Sequence, residues 1–263
     1  MKVDTPNLFV EINLSNFIFT AGLYDESQNF KIIEKIISNK EEVEDYKFIN
    51  NDQIDNLIKT NIKIIEDKIN YVFNDVTIIL DHTLYSCINI SGFKKLNGSQ
   101  VLKENISYIL NSLKLAVTEN EKDKTILHIF NSKSVLDGNS VENLPIGLFG
   151  DFYSHELTFF LIKNNDLKNI NHLFNKNNLS VKKILVKNFI EGVELVSSSN
   201  NVETFFKIKI NKESSNLSFF DKASFRYVEN FNFGTNIILR DIKKICSIDN
   251  QTLKRMLGEK SYE

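Results

Sequence analysis

The chain has few of the residues that interrupt helices and strands, with 9 glycines and 2 prolines among 263 residues. It has no tryptophan, and Cys87 and Cys246 are its two cysteines, without a CxxC spacing or a secretory leader. Such sparse cysteines point to reduced thiols in a cytosol and not to a disulfide framework. Apolar runs stay well short of the roughly eighteen residues of a membrane-spanning helix. We therefore expect a soluble chain that inserts into no membrane directly.

The chain also has little excess charge of either sign. The net charge is -2, and arginine occurs only at positions 226, 240 and 255. A chain so nearly neutral has no field that attracts nucleic acid, so we expect no nucleic-acid partner. Hydrophobic residues make up 42% of the chain, and 21 of them are phenylalanine, enough to fill a sizeable core. The length fits one large domain or two modest ones.

The sequence contains several segments with the apolar spacing of amphipathic helices. Apolar residues recur at helical spacing from Ile54 to Phe73, and again in four later segments. Asn165-Asp166 can cap one of these helices. The further helices are predicted at 101–117, 167–174 and 189–196 and in the tail from Ile237.

Strand patterns alternate with these helices. The segment 8–23 predicts a strand pair, with a turn at Gly22–Asp25, and the polar run 197–201 marks a boundary. Beyond that run, antiparallel strands with a turn near Asp221-Lys222 are predicted. The mixture indicates an α/β or α+β fold. The other predicted strands are 76–81, 85–91, 125–130, 156–162 and 181–186.

Several of the few glycines and prolines lie in one segment, HIFNSKSVLDGNSVENLPIGLFG (128–150). They are Gly138, Pro145, Gly147 and Gly150. Taken alone, these residues support only a tight loop. Their order along the chain is more specific: a helix is followed by I-L-H, then by D-G and then by P-I-G-x-x-G. This order resembles the bacterial cell-division protein FtsA, in the subdomain peculiar to that family within the actin-like fold. A later stretch, FNFGTNIILRDI (231–242), is similar to another FtsA pattern. The matching residues are Ile126, Leu127, His128, Asp137, Gly138, Pro145, Ile146, Gly147, Gly150, Gly234, Ile238, Asp241 and Ile242.

This resemblance implies an α/β, actin-like (ribonuclease H-like) lobe. The implied first lobe spans 1–91 and is completed by 183–200, an FtsA-type α+β subdomain is inserted at 92–182, and 201–263 form a partial second lobe. The glycines and the proline would shape a corner of the insertion. The resemblance also implies a cytoplasmic division scaffold at the inner face of the membrane. Its partners would be division proteins, with FtsZ docking in doubt, or a second copy through 92–182.

Actin-like ATPases hold phosphates with two glycine-rich hairpins, whose backbone N–H groups approach the anion. In the first hairpin, Glu11 and Ser15 retain a carboxylate and a hydroxyl, but Asn13 and Asn16 replace the family's glycine and lysine. Leu14 adds bulk where a phosphate would lie. These substitutions weaken the implied site.

The second hairpin, Lys209 to Asn216, has lost every glycine and both aspartates of the family pattern, and Glu213 lies where the γ-phosphate would. Lysine cannot replace a ring of backbone donors. We therefore expect no ATP hydrolysis and no cofactor, with ATP and magnesium as the less favoured alternative. The residues of this degenerate cofactor site are Glu11, Ser15, Asn16, Ser214, Ser215, Asn216 and Gly234.

Other chemistry has little support in the sequence. His82, His128, His155 and His172 show no metal spacing, and His128 suits a hydrogen-bonded structural role in a strand. Asp81, His82 and Cys87 could form a nucleophile relay, but a strand end with a stray thiol is the simpler interpretation. Two alternatives stay open. One is an actin-superfamily ATPase or kinase with drifted loops, and the other is an actin-like pilus-assembly protein.

Overall fold

The computed structural model describes residues 5–13, 16–27, 29–39, 52–198 and 202–247, and the single positions 249, 252 and 255. Groups of one to three strands alternate with single helices along these segments, a mixture that the sequence predicts. A short 3-10 turn, His82–Leu84, follows the fourth strand. The elements are β1 (Asn7–Ile12), β2 (Asn16–Tyr24), β3 (Phe30–Asn39), α1 (Asp52–Ile69), β4 (Asp75–Leu80), β5 (Ser86–Lys95), α2 (Lys103–Asn120), β6 (Lys124–Leu136), β7 (Asn139–Val141), β8 (Phe152–Lys163), α3 (Asn164–Asn175), β9 (Ser180–Val186), α4 (Lys187–Ser198), β10 (Phe205–Ile210), β11 (Ser215–Asp221), β12 (Ser224–Phe231) and α5 (Thr235–Cys246).

The first sheet has the strand order β3-β2-β1-β4-β9. The strands β1, β2 and β3 form an antiparallel meander, while β4 pairs in parallel with both β1 and β9. Side chains alternate between buried and half-buried along β1, β2 and β4, which is the period-two pattern of a strand with one face in the core. The carboxyl ends of β1, β4 and β9 consequently lie at one edge of the sheet.

Helix α1 covers this sheet with an isoleucine stripe at helical spacing: Ile54, Ile58, Ile62 and Ile65 are buried in the main core. Asp52 and Asp55 in its first turn and Lys68 in its last complement the helix dipole. The same core extends to Phe160 of β8 and Phe220 of β11, so one apolar cluster connects all three sheets.

The second sheet has the order β5-β8-β6-β7 and is antiparallel throughout. Helix α2 packs on it through Ile109 and Val117, and the aromatic residues Tyr153 and Phe159 are fully buried in it. The third sheet, β10-β11-β12, is also antiparallel, and its last turn lies at Asp221–Ser224, as predicted. The domain boundaries implied by the resemblance stay a prediction.

Two local predictions need correction. The strand pair in 8–23 is confirmed as β1 and β2, but the turn after it lies at Asp25–Asn29, where the Asn29 N–H donates to Asp25 Oδ1 at 2.8 Å. Strand β3 was not predicted at all. Its apolar residues fall at 30, 32, 33, 36 and 37, a spacing that breaks the alternation of a strand. None of the helices in the described segments is long and apolar enough to cross a membrane.

Candidate functional site at the two hairpins

The first hairpin joins β1 to β2, and side chains close it where the resemblance implies bare backbone. The Asn13 N–H donates to the Asn16 carbonyl at 3.0 Å, and Asn13 Nδ2 donates to Asn16 Oδ1 at 2.8 Å. Leu14 and Ser15 lie outside the described residues. The two asparagines therefore tie the two sides of the hairpin together through their own amides.

A lysine from a distant element neutralises the carboxylate of this hairpin. Lys187, the first residue of α4, places its Nζ atom 2.6 Å from Glu11 Oε2 and 3.0 Å from Asn13 Oδ1. Glu11 and Lys187 are both largely withdrawn from solvent. The chain itself thus supplies the positive charge that Glu11 faces.

The second hairpin joins β10 to β11 and is a tight turn, closed by the Asn211 N–H donating to the Ser214 carbonyl at 2.9 Å. The start of α5 docks on its tip: the Thr235 and Asn236 N–H groups donate to the carbonyls of Asn211 and Lys212 at 2.9 and 3.0 Å. A Cβ atom on Gly234 would lie 2.3 Å from the Asn211 carbonyl oxygen. Gly234 therefore permits a close approach of two backbone segments.

The side chains that follow this turn face inward. Ser215 Oγ donates to the Phe233 carbonyl at 2.7 Å, and Asn216 Oδ1 accepts from Asn188 Nδ2 at 2.6 Å. Asn216 Nδ2 in turn donates to Asn230 Oδ1 at 2.7 Å. Ser215, Asn216 and Asn188 are all buried. These amides link α4 to the third sheet, which gives the predicted site residues Ser215 and Asn216 a structural contact.

An ion pair connects the base of the second hairpin to the first sheet. Lys209 Nζ lies 3.1 Å from Asp81 Oδ1, and the Asp81 side chain is only 3% exposed. Asp81 directly follows β4, and its backbone N–H donates to the Ile12 carbonyl at 3.2 Å. A buried carboxylate requires such a partner, because transfer of an unpaired charge from water is costly.

The residues that sequence reasoning missed are Lys187 and Asn188. Both follow β9, a strand parallel to β4, and the carboxyl ends of neighbouring parallel strands meet at one edge of a sheet, where sites form. The polar residues directly after the predicted strand 181–186 could therefore have indicated these two site residues. The sequence also gave no sign that Asp81 would meet Lys209.

These side chains do not fit a magnesium-bound triphosphate in the manner that the resemblance implies. Lysines face both Glu11 and Asp81, and amide side chains close the first hairpin. Asn211 Nδ2 and Ser214 Oγ are buried without a hydrogen-bond partner in the described part of the chain, but one water could satisfy each.

The motif at 126–150 forms the corner of the second sheet. His128 Nε2 lies 2.7 Å from the Ile184 carbonyl oxygen of β9 and so ties the second sheet to the first. Asp137 accepts from the Asp151 and Phe152 N–H groups at 2.9 and 2.7 Å, and Asp137 has a positive φ of 48°. Gly147 has a φ of +86°, which favours glycine. The hydrogen-bonded role expected for His128 agrees with this contact.

The relay of Asp81, His82 and Cys87 has no support in the geometry. Burial raises the pKa of the Cys87 thiol to about 12, which disfavours the reactive thiolate. Asp81 pairs with Lys209, and the His82 side chain lies outside the described parts of the structure. Among the described residues, no group of three or more His, Cys, Asp or Glu side chains could hold a metal ion.

No protein-family model and no curated protein sequence matches this chain. Among solved structures, it is similar to a PilM-PilN type IV pilus biogenesis complex, with a TM-score of 0.61 and 10% identity over 97% of this chain and 69% of that one. It is also similar to the ethanolamine utilization protein EutJ from Carboxydothermus hydrogenoformans, with a TM-score of 0.47 and 6% identity over 95% and 60%. A Bacteroides thetaiotaomicron protein with an actin-like ATPase fold and unknown function has a TM-score of 0.41 and 11% identity over 98% and 89%.

The protein has an α/β, actin-like ATPase fold. The predicted fold class is thereby confirmed. The likeness shows this fold, and the FtsA assignment is not part of it. Because the identities are so low, these neighbours establish the fold alone.

Proposed function

We propose that this chain is a non-hydrolysing, FtsA-like scaffold that acts through protein-protein contacts in a bacterial cell-envelope machine. One observation carries the proposal: lysines of the chain itself, Lys187 and Lys209, face the carboxylates Glu11 and Asp81. A metal-bound nucleotide would have to displace both ion pairs. In this proposal the chain catalyses no reaction, and its function depends on partners that bind its exposed surfaces.

An apolar surface at the tip of the second sheet supports contact with a partner. The loop between β7 and β8 exposes Leu144, Ile146, Leu148 and Phe149 by 41 to 69% of each side chain. Next to the loop, the rings of Phe93 and Phe152 stack at 5.1 Å and are also exposed. A contiguous exposed apolar patch of this kind is typical of a protein-protein contact site. We call these residues the tip surface.

The cellular role that the sequence motif favours is cell division. In that case the tip surface binds division proteins or a second copy of this chain, FtsZ being a weaker candidate partner. The protein would act in the cytoplasm, at the inner face of the membrane at the division site.

Pilus assembly is the second candidate, and the likeness to PilM favours it. That protein forms a complex with PilN, so the same scaffold function would operate at another envelope machine. The partner would then be a pilus-assembly protein.

The partner experiment uses the tagged full-length chain in the cells that naturally express it. Covalent cross-linking followed by mass spectrometry should recover division proteins for the first candidate and pilus-assembly proteins for the second. Leu148→Asp combined with Phe149→Asp should abolish the recovery. Ile32→Asp, a comparably exposed position on β3, is the matched control and should not change it. Recovery of neither class, or equal recovery by the double variant, would overturn the proposal.

Calorimetry with Mg-ATP tests the enzyme alternative. We expect no binding heat at nucleotide concentrations up to the millimolar range, because lysines already pair with the carboxylates Glu11 and Asp81 and amide side chains close the first hairpin. Micromolar binding accompanied by release of phosphate would instead establish an actin-superfamily ATPase.

A further inference from the structure

The chain contains the same structural unit twice. In the first, the antiparallel meander β1-β2-β3 is followed by α1, and in the second, β10-β11-β12 is followed by α5. Both helices carry isoleucines at one spacing, which is 58, 62 and 65 in α1 and 238, 242 and 245 in α5. Residues at this spacing lie on one face of a helix.

The two isoleucine stripes have different surroundings. Ile58, Ile62 and Ile65 of α1 are 0 to 5% exposed, because they pack on the first sheet. Ile238, Ile242 and Ile245 of α5 are 36 to 82% exposed, and α5 buries none of its residues. Within the described segments, the helix stripe of the second unit therefore lacks the cover that the first one has.

The sheet of the second unit has an equally bare face. Strand register places Phe206, Phe219 and Tyr227 side by side across β10, β11 and β12. The rings of Phe206 and Phe219 stack at 4.5 Å, and Ile208 and Ile210 continue the same face along β10. Of these five residues, Phe206, Ile208, Ile210 and Tyr227 are 44 to 66% exposed. We call the five residues the bare face.

The lysines of β10 do not protect this face. Lysine on an edge strand ordinarily discourages pairing with another chain. Here Lys207 pairs with Glu191 and Lys209 with Asp81, and both lysines alternate with the apolar residues of the bare face. Their charges are directed to the opposite side of the sheet. On the bare face itself, Glu229 of β12 lies in register with Leu217 and Ile208 and accepts from the Tyr227 hydroxyl, so the face is apolar along β10 and carries this carboxylate on the β12 side.

We propose that a second copy of this chain covers these surfaces reciprocally, with α5 of each copy lying on the bare face of the other. The contact of α1 with the first sheet is the physical precedent for such a helix on such a sheet. A second copy is the occupant that carries both complementary surfaces at once, and a two-fold interface requires this self-complementarity.

The available area agrees with a stable dimer. With about 200 Å² for a fully exposed large apolar side chain, the exposed fractions of the bare face and the α5 stripe correspond to on the order of 800 Å² per copy. A standard stable interface buries about 800 Å² per partner.

Analytical ultracentrifugation of the full chain tests the dimer. We expect twice the 30.4 kDa of one chain. Ile242→Glu combined with Ile245→Glu, and separately Phe206→Glu combined with Ile208→Glu, should each give monomers whose circular dichroism is unchanged. Ile37→Glu, a comparably exposed isoleucine on β3, should stay dimeric. A monomeric wild type, or a dimer that both double variants leave intact, would overturn the proposal.

Mixing the two double variants tests reciprocity. Each retains the surface that the other has lost, so an equimolar mixture should form a heterodimer through one of the two contacts, at least tenfold weaker than the wild-type dimer. A mixture that remains entirely monomeric would contradict the reciprocal arrangement.

Cys246 supplies a second readout, because it is exposed and follows Ile245. Its reaction with a maleimide should be at least fivefold slower in the wild type than in the Phe206→Glu/Ile208→Glu variant. Slow labelling of a monomer would show instead that α5 packs within its own chain, which would overturn the proposal.

Discussion

The ammonium group of Lys209 lies 3.1 Å from the carboxylate of Asp81, which joins the third sheet to the end of β4. The resemblance to FtsA places Lys209 at a position where that family has an aspartate. A positive charge has thus replaced a negative one, and the Asp81 carboxylate at the end of β4 pairs with it. An internal ion pair therefore occupies a region where the resemblance implies a metal-bound nucleotide.

Replacing Lys209 should destabilise the protein more than an ordinary surface substitution. In Lys209→Met, the buried Asp81 carboxylate loses its ammonium partner, and we expect a loss of about 2–3 kcal/mol in the free energy of unfolding. Urea denaturation followed by circular dichroism measures this loss. Lys182→Met is the matched control, since Lys182 and Asp75 form an exposed pair at 3.6 Å. Its loss should stay within about 0.5 kcal/mol.

The doubly substituted protein provides the decisive comparison. Adding Asp81→Asn to Lys209→Met also removes the buried negative charge and should restore most of the lost stability, since the two sites are coupled. If the single and the double variant are equally destabilised, the charge pair is not the cause.

Alanine at Gly192 should destabilise the protein even though alanine is the better helix former. A Cβ atom there would lie 1.9 Å from Cζ of Phe220, whose ring is buried against Phe205 and Phe225. Overpacking a core costs about 1–3 kcal/mol. A contact of 1.9 Å belongs at the upper end of this range, which exceeds by about 2 kcal/mol the ~1 kcal/mol that alanine gains over glycine in a helix. We expect Gly192→Ala to lose about 2 kcal/mol in urea denaturation.

Two variants interpret that result. Val193→Ala, at an exposed position of the same helix, should change stability by less than about 0.5 kcal/mol. Phe220→Leu should lose less stability in the Gly192→Ala background than alone, because it removes the clash. A stabilised Gly192→Ala protein would show that the helix and the ring do not pack as described.

Stability should fall below neutral pH because of His155. Burial lowers the pKa of this side chain below its ordinary value of 6.5, and its Nδ1 atom has no hydrogen-bond partner in the described part of the chain. Above pH 6.5 the neutral ring is present in both states, and its contribution is complete. As the pH falls, the unfolded chain binds the proton first, so stability decreases by up to about 1.4 kcal/mol per pH unit.

Urea denaturation at pH 7.5, 6.5 and 5.5 measures this dependence. His155→Gln should flatten the decrease between pH 6.5 and 5.5, whereas His172→Gln, at an exposed position, should leave it unchanged. Equal slopes for the wild type and His155→Gln would exclude His155 as the titrating group.

The elements could be predicted wherever the apolar period was unambiguous. The isoleucines of α1 fall at helical spacing and the residues of β1 alternate, so both elements were predicted correctly. Strand β3 failed because Ile32 and Ile33 are adjacent in sequence, and its pairing with β2 decides the structure there. Tertiary pairing overrode an ambiguous local pattern.

The candidate site could be predicted only in part. Asn13 and Glu213 in place of family residues already indicated a degenerate phosphate site, because the chemical identity of a hairpin residue is a local property. The inward direction of Ser215 and Asn216 was not predictable, since it depends on how α4 packs on the third sheet.

By itself, the sequence determined the helices, most strands and the loss of glycine from both hairpins, because each of these depends on neighbours a few positions away. Only the tertiary structure decided that Lys209 pairs with Asp81 and Lys187 with Glu11, across separations of 128 and 176 positions. Which charges meet over such separations depends on the order of strands in the sheets. Many sheet orders are compatible with one local pattern, and packing of the shared core selects among them.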